Sequence, residues 1–225
     1  RCFARGAGAA TFTQSTTVPT GEGFANSLKV DVTTVDSSLT SNDLYIIDQR
    51  IEAQNLQQLA KGTSTAKLVT ASFWVRSTKT GTYVLELFDD DNSRHISKTY
   101  AISSADTWEH KTITFEGDTT GALNNDTGIG FDLRWFLGAG TSYTSGTLAT
   151  SWQADDTEDR AVGQVNFFDS TSNNYYLTGV QLEIGEVATP FEHRSFADDL
   201  ALCQRYYQKS YDTTEDPGTS SNTGK

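Results

Sequence analysis

Residues 69–76 read VTASFWVR, and this stretch decides the fold class. Every second residue is apolar, so an extended chain places these residues on one face and Thr70, Trp74 and Arg76 on the other. Residues 129–137 (IGFDLRWFL) repeat the pattern, with an apolar stripe of Ile129, Phe131, Leu133, Trp135 and Leu137. A period of two indicates a half-buried β-strand, so both segments predict sheets that pack one face against a core.

On both sides of these segments, short β-branched and aromatic runs alternate with segments rich in Thr, Ser, Gly, Asn and Asp, which is typical of all-β domains. Turn residues at 78–81 and 89–93 predict hairpins, so we expect consecutive strands to pair antiparallel. Each of these strands has one apolar face, and a single sheet cannot bury the apolar surface of so many strands. The sequence therefore predicts two sheets packed face to face, an antiparallel β-sandwich. The predicted strands are 11–14, 26–35, 43–52, 66–77, 82–88, 95–102, 109–115, 128–137 and 175–184.

Two segments favour helix. Residues 52–59 (EAQNLQQL) contain helix formers and predict a short helix between strands. Residues 195–211 predict a C-terminal helix, because Ser195 is placed to cap it, Asp198 falls in the first turn, and Phe196, Leu200, Cys203 and Tyr207 share a stripe. We therefore expect a sandwich over 1–194, a helix over 195–211, and a flexible linker to a following domain over 212–225, whose composition is polar.

Composition excludes two classes of partner. The chain has 29 acidic and 17 basic residues, a net charge of −12, which repels phosphate backbones and anionic headgroups. No apolar run approaches the ~20 residues of a membrane span. We expect neither nucleic-acid binding nor membrane insertion. Cys2 and Cys203 lack CxxC spacing and are expected to be free thiols.

Three segments carry a resemblance to a known family. Residues 179–185 (GVQLEIG), 188–194 (ATPFEHR) and 200–207 (LALCQRYY) resemble the end of a jelly-roll domain found in many phage tail-fibre and virion appendage proteins. Residues 72–77 (SFWVRS), 107–109 (TWE), 112–115 (TITF) and 117–121 (GDTTG) resemble upstream parts of the same family in the same order. The family is similar to β-sandwich carbohydrate-binding modules.

The resemblance implies a virion appendage module, in a tail fibre or spike, which is structural and contacts host-surface glycans. It implies a homo-oligomer, a trimer by analogy, bound to other virion proteins and exposed on the particle surface after assembly in the host cytoplasm. Two other readings stay open: a carbohydrate-binding module of a secreted polysaccharide-active enzyme, and a purely structural head or tail decoration protein. Fold likeness alone does not choose among them.

No catalytic residue is predicted. His95, His110 and His193 lie in separate segments without HxH or HExxH spacing. No nucleophile with a neighbouring base and no metal motif stands out. We therefore expect a protein without enzymatic activity.

The candidate ligand-binding residues combine aromatic rings with polar neighbours, as sugar-binding sites do. One set lies in the loop 138–159 (GAGTSYTSGTLATSWQADDTED) and comprises Tyr143, Trp152, Gln153 and Asp155. The alternative is that these aromatics are pinned under the loop as a satellite core. Trp74 and Arg76 form a second candidate on a strand's outer face, which alternatively covers the other sheet or a partner subunit. Trp108 and Trp135 are predicted to lie in the core.

No cofactor or metal ligand is assigned from the sequence. Residues 89–93 (DDDNS) alternate oxygen-bearing side chains as calcium loops do, but they lack the downstream bidentate Glu, so a solvated hairpin turn is the favoured interpretation. The resemblance leaves a structural calcium ion open, with Glu22 or Glu183 as a carboxylate ligand.

Overall fold

The structure is a computed structural model that describes residues 1–206, which fall into a compact unit, Arg1–Thr189, and a second unit from Pro190 onward. Most of the regular structure in the first unit consists of strands. They are β1 (Cys2–Arg5), β2 (Ala9–Ser15), β3 (Ser27–Thr34), β4 (Leu44–Glu52), β5 (Val69–Ser77), β6 (Gly81–Asp89), β7 (Arg94–Ile102), β8 (Glu109–Phe115), β9 (Ile129–Ala139), β10 (Gln153–Ala154) and β11 (Asn174–Ile184).

The strands form two antiparallel sheets, as predicted. One has six strands in the order β1-β4-β9-β6-β7-β10, and the other has five in the order β2-β3-β11-β5-β8. The chain crosses repeatedly from one sheet to the other, and within residues 1–206 only β2–β3 and β6–β7 are sequence neighbours that also pair. The all-β antiparallel sandwich is therefore confirmed.

The two predicted hairpins have different outcomes. The turn at 89–93 does join a hairpin, in which Asp89 pairs with Arg94. The hairpin predicted at 78–81 is wrong, because β5 and β6 belong to different sheets. Both edges of β5 are occupied by β11 and β8, so the chain after Ser77 crosses to the other sheet. An alternating pattern specifies which face of a strand is buried but not which strand lies beside it.

The main core lies between the two sheets and contains both predicted stripes except Ile129, which is half-buried at the start of β9. Val69, Ala71, Phe73 and Val75 of β5 face the β9 stripe across the sandwich. The ring of Phe73 meets Trp135 edge to face, with centroids 5.7 Å apart at 88°. Trp135 is fully buried, as predicted. The inward faces of both strands are thus confirmed.

A second, smaller core lies on the outer face of the six-stranded sheet. The segment after β9 folds back over this face, with a short helix α1 (Thr141–Thr144) and a turn of 3-10 helix at Thr157–Asp159. A later 3-10 turn, Phe167–Asp169, places Phe167 and Phe168 in the main core instead. This sheet is therefore apolar on both faces over part of its area. The buried cluster consists of Leu44, Ile46, Val84, Phe136, Ala139, Tyr143 and Ala161.

The remaining elements match the sequence patterns in part. The helix predicted at 52–59 is a 3-10 helix, Ala53–Leu59, which buries Leu56 and Leu59. The strand predicted from residue 66 begins at Val69. The edge strands β1 and β10 were not predicted, because their few residues carry no clear alternation.

In the second unit, helix α2 (Phe196–Gln204) begins where predicted. The Ser195 hydroxyl accepts a hydrogen bond from the Asp198 backbone amide at 3.2 Å, which is the expected N-cap geometry. The predicted remainder of the helix beyond residue 206, and the predicted linker 212–225, lie outside the described residues.

Candidate functional site

The structure separates the two predicted sets of binding residues. Tyr143, Trp152, Gln153 and Asp155 belong to the segment that covers the six-stranded sheet, whereas Trp74 and Arg76 lie on the outer face of the five-stranded sheet. These are different surfaces of the sandwich. Each set of residues is therefore a separate candidate site.

The aromatic residues of the loop set are committed to packing. Tyr143 is buried, and its hydroxyl accepts a short hydrogen bond from the Arg5 guanidinium. Trp152 is half-buried, stacks on Phe131 with centroids 5.9 Å apart at 26°, and donates its indole N–H to the Glu116 carbonyl at 2.6 Å. Tyr143 belongs to the smaller core under the loop, the alternative considered for this segment, whereas Trp152 packs against the main core between the sheets.

The polar residues of the loop set are also held by the protein. Gln153 pairs with His95 in the short β10–β7 ladder, and its side-chain amide donates to Asp159 at 2.9 Å. Asp155 has an exposed side chain, while its backbone N–H donates to the Ser93 carbonyl at 2.8 Å. These contacts anchor the loop and leave Asp155 as the exposed polar group of the four.

The second set lies in an aromatic surface on the five-stranded sheet, which we call the aromatic platform. It is formed by outward residues of β3, β5, β8 and β11 and of the segment just before β8, with two neighbouring rows across the strands. Thr178, Trp74 and His110 form one row, since their positions pair in register. The Trp74 indole and the His110 imidazole lie 5.1 Å apart, and Trp74 is half-buried while His110 is exposed.

The other row of the platform contains Lys29, Tyr176 and Arg76, which pair across β3, β11 and β5. Tyr176 is 8% exposed, with Lys29 Nζ and the Arg76 guanidinium carbon 5.7 and 5.1 Å from its ring centre. Trp108 continues this row, with its ring 6.1 Å from that of Tyr176 at 60°. The prediction of Trp108 as core is therefore wrong: it precedes β8 on the same face as His110 and lies half-buried on the outside.

The charges of the platform are paired locally. Arg76 donates to the Asp106 carbonyl at 2.9 Å and to its carboxylate at 3.0 Å. Lys29 lies 2.5 Å from Asp31, and this hydrogen bond raises the pKa of the Lys29 ammonium. Since each cation has its own carboxylate, the surface offers partly exposed indole rings beside polar groups, with little unbalanced charge.

Beyond the tryptophans the platform continues as a row of hydroxyl and amide groups. Ser72 pairs with both Thr112 and Gln181, and the next row holds Thr70, whose hydroxyl lies 2.9 Å from that of Thr114. Gln181 is half-buried on this face. Ser72 and Thr70 are buried, so the exposed Thr112 and the half-buried Gln181 are the side chains here that can reach the hydroxyls of a neutral ligand.

Of the residues considered for calcium, Glu183 and Asp89 accept hydrogen bonds from protein donors, whereas Glu22 has an exposed side chain. Glu183 accepts hydrogen bonds from the Thr189 backbone N–H at 3.0 Å and from the Thr189 hydroxyl at 2.5 Å. Burial would raise the pKa of the Glu183 carboxyl, but these hydrogen bonds lower it overall. In the 89–93 turn, Asp89 is fully buried, and both of its oxygens accept from the Asn92 amide. Within residues 1–206 there is no group of three or more His, Cys, Asp or Glu side chains placed to hold a metal ion.

The most strongly perturbed carboxyl group was not anticipated from the sequence. Glu86 of β6 is fully buried beneath the loop and accepts two bonds from Arg160 at 2.7 Å and one from Arg134 at 3.1 Å. His95 Nδ1 lies 3.2 Å from the same carboxylate. Burial by itself would raise the pKa of Glu86, yet the guanidinium of Arg160, with Arg134, holds it well below its usual range. This Glu86 cluster ties the loop to the sheet and is closed to a substrate.

Comparison with known proteins gives structural neighbours alone. No protein-family model matches the sequence, and no curated protein matches it. The enzymatically active domain of bacteriophage CBA120 tailspike protein 4 is similar in structure, with 11% identity and a TM-score of 0.45 over 82% of this chain and 19% of that chain. The family 11 carbohydrate-binding module from Clostridium thermocellum, in complex with a β-1,3-1,4-mixed-linked tetrasaccharide, has 9% identity and a TM-score of 0.41 over 84% and 90% of the two chains.

A third neighbour is TmCBM61 in complex with β-1,4-galactotriose, with 11% identity, a TM-score of 0.38, and 82% and 88% of the two chains covered. The chain thus spans less than a fifth of the tailspike chain and most of each module.

Within the described residues, none of the helices has both the length and the apolar character needed to span a bilayer.

Proposed function

We propose that this protein is a non-catalytic carbohydrate-binding β-sandwich that binds a neutral glycan on the aromatic platform. The observation that carries the proposal is the pair of half-exposed indoles, Trp74 and Trp108, fixed on neighbouring rows of a rigid sheet beside hydroxyl and amide groups. Aromatic faces bind the C–H patches of sugars, and polar side chains bind their hydroxyls. Because Trp74 lies on β5 and Trp108 immediately precedes β8, the surface is ordered before the ligand arrives.

The neutrality of the ligand follows from the charge pairing. Arg76 and Lys29 are each within hydrogen-bond distance of a carboxylate, and the whole chain carries −12. An anionic sugar would have to displace these partners. Binding should therefore change little between low and high NaCl concentration, since no unscreened ion pair contributes to it.

Screening on a glycan array followed by calorimetric titration tests the proposal. Trp74→Ala and Trp108→Ala are each expected to weaken binding at least about tenfold, which corresponds to about 1.4 kcal/mol of lost contact. Phe12→Ala is the matched control, since it removes an aromatic ring that is 39% exposed at the sandwich edge, away from the platform. Affinity that survives in both tryptophan variants, with the fold intact by circular dichroism, would contradict the platform as the site.

We further propose that the module is part of a phage virion appendage and forms a homo-oligomer there. The resemblance of residues 179–194 and 200–207 to tail-fibre and appendage proteins supports this assignment. Light scattering separates it from the alternatives: a glycan-binding monomer favours a module of a polysaccharide-active enzyme, and an oligomer that binds no glycan favours a decoration protein.

The absence of catalysis is proposed because Glu86, the most perturbed carboxylate, is enclosed by the guanidinium groups of Arg160 and Arg134. Release of shorter sugars from a bound glycan would refute it.

A further inference from the structure

A lysine ammonium lies inside a shell of four oxygen atoms at one end of the sandwich. Lys61 follows the 3-10 helix, and its side chain is 3% exposed. Its Nζ lies 2.5 Å from Asp89 Oδ2, 3.1 Å from Asp118 Oδ2, and 2.9 Å from the carbonyl oxygens of both Thr120 and Gly121. We call these four atoms the oxygen cage.

The cage contains more oxygens than the ammonium can satisfy by hydrogen bonding. An ammonium group has three N–H donors, and four oxygens surround this one, so at least one contact is an ion–dipole attraction. Two carboxylates and two carbonyls are also the donor types that hard cations such as Ca²⁺ take from proteins. The cage is thus arranged around a positive charge at its centre.

The backbone around the cage holds these oxygens in place. The Gly62 N–H donates to the Asp118 carbonyl at 2.9 Å, and the Thr120 N–H donates to Asp118 Oδ1 at 3.0 Å. Asp89 is oriented by the Asn92 amide, and Asp118 by Arg94 at 2.7 Å. The oxygens are therefore fixed by contacts that do not involve Lys61, and the cage should persist when the lysine is shortened.

We propose that Lys61 supplies the resident cation of this site, and that the same four oxygens bind a calcium ion once the lysine side chain is removed. In the native chain, the Lys61 ammonium links three segments: the β6–β7 turn, residues 117–121 and the loop that carries Trp152. The native fold is then independent of calcium. This cage is distinct from the structural calcium that the family resemblance leaves open, because neither Glu22 nor Glu183 contributes an oxygen to it.

Thermal unfolding of the native chain and of Lys61→Ala, in EDTA and in excess CaCl₂, tests the proposal. The melting temperature of the native chain should be unchanged by either reagent. Lys61→Ala should melt lower in EDTA and regain about 5 to 10 °C when calcium is about a hundredfold above its dissociation constant. Lys61→Met is the matched control, because its chain fills the same space without charge and should show no calcium response.

A second readout uses the neighbouring indole. Lys61 Nζ lies 5.4 Å from the centre of the Trp152 ring. Terbium, which replaces calcium at oxygen sites, should therefore emit when Trp152 is excited in Lys61→Ala, and calcium should quench this emission by competition. Adding Asp118→Asn to Lys61→Ala removes a charged ligand and should abolish both signals.

A folded Lys61→Ala chain without a calcium-dependent melting shift or sensitised terbium emission would overturn the proposal. An equal calcium response in Lys61→Met would also overturn it, since the ion would then bind elsewhere. If Lys61→Ala does not fold in EDTA, refolding from urea decides the question. Recovery of the native circular dichroism spectrum in CaCl₂ alone supports the site, and failure in both buffers refutes it.

Discussion

Replacing Glu86 by Gln removes the negative charge at the centre of the Glu86 cluster and should be among the most damaging conservative changes in the chain. The substitution keeps the length and the shape of the side chain. It leaves Arg160 and Arg134 without the carboxylate that receives their bonds at 2.7, 2.7 and 3.1 Å. Since Glu86 is fully buried, water cannot replace the lost partner.

The expected cost follows from these contacts. Removing one partner of a buried ion pair typically destabilises a protein by about 3–5 kcal/mol, because the remaining charges stay buried without compensation. In a unit of this size about 1 kcal/mol lowers the melting temperature by about 2–4 °C, so a drop of about 10 °C is expected. Thermal and urea denaturation at neutral pH, followed by circular dichroism, measure it.

The pH dependence gives an independent check of the same reasoning. In the folded chain the pKa of Glu86 lies well below its ordinary value of 4.5, so the unfolded chain takes up a proton first as the pH falls. Stability from Glu86 is complete above about 4.5 and is lost progressively below it. The Glu86→Gln variant lacks this contribution and should lose stability less steeply in acid. A melting temperature within about 2 °C of the native value at neutral pH would refute the argument.

Three further outcomes follow from the structure. Asp132→Asn should cost less than Glu86→Gln, about 1 kcal/mol in urea denaturation, because burial raises the pKa of this carboxyl and its Oδ1 has no hydrogen-bond partner in the described chain, while its Oδ2 accepts from Arg134 at 2.9 Å. Gly62→Ala should lower stability by about 2 kcal/mol or more by the same assay, because Gly62 has φ +80° and a Cβ would lie 2.5 Å from the Ala122 nitrogen. Trp152→Phe should keep glycan affinity in calorimetric titration while losing about 1 kcal/mol of stability, since it keeps an aromatic ring beside Phe131 but loses the hydrogen bond to the Glu116 carbonyl.

The alternating residues of β5 and β9 were enough to predict the strands, their buried faces and the sandwich. The order of strands was not predictable, because the same alternation suits any neighbour, and the wrong hairpin at 78–81 follows from that limit. Trp108 shows a signal that was available but missed: two residues before His110, it has the same parity and hence the same outward face. Turn composition identified 89–93 correctly, since Asp and Asn tolerate its backbone angles.

The ionic sites could not have been predicted from local pattern. Lys61 meets the Gly121 carbonyl, 60 positions away in sequence, and Glu86 meets Arg160, 74 positions away. No periodicity links such pairs, because each depends on crossings between the sheets. The loop aromatics Tyr143 and Trp152 were ambiguous for a related reason: a polar loop composition does not reveal whether a ring points outward or is pinned beneath the loop.

The position of β11 has a consequence for how the protein is made. β11 lies between β3 and β5, so each of these strands lacks one of its two neighbours until residues 174–184 have left the ribosome. The nascent chain therefore exposes two bare strand edges through most of its synthesis, a state prone to association with other chains. Such a topology, dominated by pairings between distant segments, folds slowly and as one cooperative event.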